Sequence, residues 1–105
     1  MQRRIIYDLV EGDTAPDLEV RFLGMDLSLY SPIEMHVETD KSVRFTRTVT
    51  PDGTDPELGT VAWQAGDLVR GRHRAEFEFT RISDSKKFTL PRRYPAYLNV
   101  RKDLV

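Results

Sequence analysis

The chain has no cysteine, only two histidines and a single tryptophan in 105 residues. Without cysteine there is neither a disulfide framework nor a thiolate metal site. That suits a reducing compartment, and also a disulfide-free secreted domain. A zinc site needs three or four convergent ligands, and neither His36 nor His73 has a second ligand at motif spacing. Both histidines sit among charged residues, so both are expected to be exposed, and no metal site is expected. There is no Gly-x-Ser-x-Gly elbow and no glycine-rich phosphate loop. Asp52-Gly53-Thr54-Asp55-Pro56-Glu57 lacks the ligand run of a calcium loop and reads as a turn. Glu76 and Glu78 are two apart and face outward, which suits solubilising charges better than an acid/base pair. The reading is a non-enzyme with no catalytic residue, no cofactor and no small-molecule substrate. No stretch approaches the roughly 20 apolar residues of a membrane span, so no membrane partner is expected. Asp8 interrupts the N-terminal segment early, and no signal peptide is expected there.

What the chain does have is a series of short alternating segments cut by turn residues. At 105 residues it is read as one domain, spanning 1–105. Ile33-Glu34-Met35-His36-Val37-Glu38-Thr39 is the clearest: Ile33, Met35 and Val37 inward, the charged residues outward. Leu18, Val20 and Phe22 share a face, as do Val61 and Trp63, and Ala75, Phe77 and Phe79. Tyr7 and Leu9, with Ile5, form the better core face of the first segment, and Val43 and Phe45 share a face later. Pro51 to Leu58 is the longest loop, and Ala65 to Gly71 a connection with room for one helical turn. Pro51, Pro56, Pro91 and Pro95 fall on strand edges and loops, where they guard against edge pairing. Seven to nine short strands, with turns every 8–12 residues or so, predict an all-β antiparallel sandwich; an open barrel is the alternative. The expected core is Val20, Phe22, Ile33, Met35, Val37, Phe45, Val61, Trp63, Phe77 and Phe79.

Charge is nearly balanced overall but uneven along the chain. Residues 1–69 hold six Lys/Arg against thirteen Asp/Glu, a net −7; residues 70–105 hold ten against four, a net +6. One reading is an ordinary salt-bridged sheet surface; the other is a bipolar surface that lets copies dock. Arg70, Arg72, Arg74, Arg92 and Arg93, with Tyr94 and Tyr97, form the candidate interaction surface. Basic residues among aromatics suit single-stranded nucleic acid, but a pI near 6.1 argues against a dedicated nucleic-acid binder.

The string Gly59-Thr60-Val61-Ala62-Trp63, then Asp67-Leu68, Gly71, Ala75-Glu76-Phe77, Thr89-Leu90-Pro91 and Leu98-Asn99-Val100 carries a family resemblance. With the opening Glu11-Gly12-Asp13-Thr14-Ala15-Pro16-Asp17-Leu18, it resembles a small immunoglobulin-like domain of tailed bacteriophages. It is similar to the N-terminal domain of the upper baseplate protein family and to related tail and neck accessory proteins. Members of that family continue into long additional regions, which this sequence does not show. The resemblance implies an immunoglobulin-like β-sandwich that is a virion structural protein of a phage or prophage, in the tail, baseplate or neck. It further implies synthesis in the bacterial host cytoplasm, partners that are other virion proteins or copies of itself, and no enzymatic activity. A carbohydrate- or cell-surface-binding sandwich module is the alternative.

Overall fold

The computed structural model describes residues 5–91 and 96–102. It contains nine strands: β1 (Ile5–Val10), β2 (Leu18–Arg21), β3 (Tyr30–Glu38), β4 (Arg44–Thr48), β5 (Thr50–Pro51), β6 (Leu58–Val61), β7 (Gly71–Arg81), β8 (Lys87–Leu90) and β9 (Ala96–Arg101). Six strands form one sheet, in the order β1-β9-β7-β3-β4, with β8 also pairing with β7. The order β2-β6-β5 forms a second sheet. The two sheets pack against each other as a β-sandwich. The chain is all-β, as expected, with one departure from antiparallel pairing. β1 lies parallel to β9, with Tyr7 opposite Leu98 and Leu9 opposite Val100. A parallel pair needs a long crossover, and nearly the whole chain intervenes here.

Period-2 alternation decides which side chains are buried. β7 is the clearest case, with His73, Ala75, Phe77 and Phe79 buried between exposed or half-buried neighbours. Met35, Ile33 and Val37 of β3 meet them from the adjoining strand. Across the interface, Phe22 packs edge-on against Phe77 and Phe79, both at 5.1 Å between ring centres. Phe88 stacks on Phe79 at 5.0 Å, and Tyr30 closes the cluster edge-on. Such pairs add about 0.5–1.5 kcal/mol each beyond the area they bury. Gly59 lies in β6 because space forbids more: a Cβ there would sit 2.6 Å from Val49 Cγ1.

Of the expected core, only Phe45 is not fully buried. It belongs to β4, at the end of the sheet order, and is only partly buried against the core. Val43, expected beside it, is 60% exposed, because the turn after β3 extends through it and β4 begins at Arg44. Leu27–Leu29 forms one 3-10 turn capped by Asp26, whose carboxylate accepts from the Ser28 N–H. The 65–71 connection has a turn and no helix. Pro32 removes a ladder donor, and the β3–β7 register shifts between Tyr30 and Ile33. Among the described residues, no helix is long and apolar enough to cross a membrane.

Candidate functional site

The outer face of the large sheet carries the polar residues that the alternation rejects from the core. Its strands align in rows. One row runs Arg44, Glu38, Arg74, Tyr97 and Ile6 across β4, β3, β7, β9 and β1. Arg72, opposite Asn99, lies beyond that row. On the other side come Thr46, His36 and Glu76, and then Thr48, Glu34, Glu78 and Thr89. The face is therefore basic at one end and acidic at the other.

At the basic end, the Arg72 guanidinium lies over the Tyr97 ring, 4.5 Å from its centre. Tyr97 is directly opposite Arg74, and Ile6, its neighbour on β1, is 44% exposed. A cation over an aromatic face contributes about 0.5–1 kcal/mol at an exposed site. It also holds the guanidinium in a fixed plane over the ring. The structure thus brings together Arg72, Arg74 and Tyr97 of the expected surface. Arg70 is elsewhere, in the loop before β7, and Arg92, Arg93 and Tyr94 lie outside the described residues. Arg44 joins the patch and was missed, because its segment belongs to the acidic half of the sequence.

That acidic half does not form a separate surface. β7 of the basic half is inserted between β3 of the acidic half and β9. The described ion pairs of Arg and Lys form within each half: Arg21 with Asp55 and Glu57, Arg44 with Glu38, Arg47 with Asp67, Arg81 with Asp84 and Lys87 with Glu78. The bipolar pattern runs along one sheet face and does not follow the two halves of the chain.

At the acidic end, His36 sits half-buried between Glu34 and Glu78. Its Nδ1 is 2.9 Å from Thr46 Oγ1. Its Nε2 is closed off from solvent, has no hydrogen-bond partner and lies 4.0 Å from Glu78 Oε1. One donor atom from each of Glu34, His36 and Glu78 falls within 4.8 Å of the others. A sealed polar atom without a partner costs roughly 1–3 kcal/mol.

His73 corrects the expectation of exposure. It is 2% exposed, and the reason is parity: it shares a face with Ala75, Phe77 and Phe79. The Asp40 N–H donates to Nδ1 at 3.1 Å, and Nε2–H donates to the Val69 carbonyl at 2.6 Å. The ring ties the start of β7 back to the preceding loop, as the tyrosine corner does in immunoglobulin domains. Gly71, at φ 139°, is required here, since a Cβ would collide with the Asp40 carboxylate. Nearby, Asp67 is buried and receives a two-pronged bond from Arg47, one arm Nε to Oδ2 at 2.8 Å, together with the Gln64 N–H at 2.8 Å. Thr39, Asp40, Val43, Phe45, Val69 and His73 border a cavity of about 190 Å³. Its two most buried polar groups, His73 and Asp67, are already engaged, so they hold the corner together.

No family model, curated protein or solved structure matches the chain. Function must therefore be argued from the geometry and the resemblance.

The aspartates of the 52–57 loop serve its turn. The Thr54 hydroxyl, assisted by the Thr54 and Asp55 N–H groups, holds the Asp52 carboxyl below the usual aspartate range. The Arg21 guanidinium does the same for Asp55. These bonds fold the 52–57 loop onto itself and onto Arg21. Burial pushes the Tyr7 phenol up from its ordinary value, as expected of a ring packed against the core.

Proposed function

We propose that this chain is a non-enzymatic structural subunit of a phage or prophage virion, in the tail, baseplate or neck. It acts through protein–protein contacts with other virion proteins or with copies of itself. The observation that carries the contact reading is the Arg72–Tyr97 stack with Arg74 and Ile6 around it. Tyrosine and arginine are enriched in the cores of protein interfaces, and hot spots draw on them disproportionately. A guanidinium already fixed over a ring loses less entropy on docking. The virion setting rests on the resemblance of the Gly59–Val100 strand series to phage immunoglobulin-like domains. Stacking of a sugar, the basis of the carbohydrate alternative, needs a bare aromatic face, and Arg72 covers one face of Tyr97.

The test is incorporation. Particles induced from a host carrying the gene are purified, and the chain is quantified against the major tail protein. The expected result is a fixed stoichiometry, with synthesis in the host cytoplasm before assembly. A variant carrying Arg72→Glu and Arg74→Glu folds but drops out of the particle. Absence of the wild-type chain from purified particles would sink the virion reading. Full incorporation of the variant would show that another surface makes the contact.

A further inference from the structure

We propose that Glu34, His36 and Glu78 form a binding site for a divalent transition-metal ion, zinc in particular, on the outer face of the large sheet. Three observations converge on it. The first is register: Glu34 of β3 is directly opposite Glu78 of β7. Like charges opposite each other across a ladder are unfavourable, and Glu76, opposite His36, adds a third carboxylate. The described cation at this end is Lys87, whose Nζ is 3.9 Å from Glu78. A dication between the two carboxylates turns that repulsion into attraction.

The second is the imidazole. When Nδ1–H donates to Thr46 Oγ1, Nε2 carries a lone pair. That atom is sealed from solvent and without a partner, on the Glu78 side of the ring. A histidine ligand is held in this way, with one nitrogen anchored by a neighbouring group and the other presented to the ion. The third is spacing. Donor atoms in a tetrahedral zinc site lie roughly 3.4 Å apart, given bonds of about 2.0–2.2 Å. The three donor atoms here all fall within 4.8 Å of one another. Rotation about the terminal bonds of the two glutamates closes the difference without moving the strands.

The donor set also chooses the metal. One imidazole nitrogen with two carboxylates suits zinc and its transition-metal neighbours, whereas magnesium and calcium prefer all-oxygen shells. Three protein ligands leave a fourth position open to solvent on the outer face, and Lys87 competes with the ion for Glu78.

Zinc chloride is titrated calorimetrically into the full-length, tag-free chain. The His36 Nε2 resonance is followed by nitrogen NMR, with magnesium as the parallel titrant. One equivalent of zinc is expected to bind and to shift His36 Nε2 but not His73. His36→Ala and Glu78→Gln each weaken binding tenfold or more, while Lys87→Met strengthens it several-fold by removing the competitor. All three positions face outward, so the variants are expected to keep the wild-type circular dichroism spectrum. The proposal is overturned by any of three results: no heat of zinc binding to the wild-type chain; affinity unchanged in His36→Ala; or a shift at His73 in place of His36.

Discussion

Replacing Asp67 with alanine tests the corner that positions β7. The Asp67 side chain is 4% exposed and that of Arg47 is 20% exposed. Asp67 accepts from two guanidinium nitrogens of Arg47 and from the Gln64 N–H. Alanine leaves all three donors without their acceptor. Breaking a buried pair by removing one partner costs about 3–5 kcal/mol. Arg47 keeps some access to water and its contact with the Phe45 ring, which places the cost toward about 3 kcal/mol. For a domain near 100 residues each kcal/mol lowers Tm by about 4–8 °C, so a fall of about 12 °C or more is expected. Denaturant and thermal melts followed by circular dichroism measure it. The double variant Arg47→Met, Asp67→Leu separates charge from packing. Well-packed apolar replacements of buried pairs are often near neutral, so it is expected to be more stable than Asp67→Ala alone. A loss below about 1 kcal/mol for Asp67→Ala, the range of surface pairs, would refute the claim that this pair holds the corner.

Two further perturbations probe the core and the loop. Trp63→Ala is expected to cost about 3–5 kcal/mol in urea unfolding, because the ring is buried. Trp63→Phe costs less, since the indole Nε1 has no hydrogen-bond partner to lose. For acid stability, Asp52 and Asp55 have folded pKa values below their ordinary ones. Their contribution is therefore present above the unfolded aspartate pKa of about 3.9, and is lost as pH falls from there through the depressed values. Urea midpoints measured across that acid window should fall less steeply in Asp52→Asn, Asp55→Asn than in wild type. Parallel curves would show that these turn bonds do not report on folding.

Local alternation was enough to determine the all-β class and the inward faces of β2, β3, β6 and β7. A pleated strand sends successive side chains to opposite sides, and Ile33-Met35-Val37 or Ala75-Phe77-Phe79 states that outright. The same rule, extended one step, puts His73 inside; its charged sequence neighbours suggested otherwise only because they occupy the opposite face. The edge position of β4 was not legible in the hydrophobicity of Val43 and Phe45, since apolar residues beside or on an end strand lack a neighbour to cover them. The pairings between strands distant in sequence were likewise beyond it. Glu34 with Glu78, Arg47 with Asp67 and Arg72 with Tyr97 join residues 44, 20 and 25 positions apart. Each half of such a pair is an ordinary outward or loop residue when read alone. Only the insertion of β7 between β3 and β9 sets Glu76 and Glu78 against His36 and Glu34 at one end of the face and Arg72 against Tyr97 at the other, because ladder register, a property of two strands at once, decides which side chains touch.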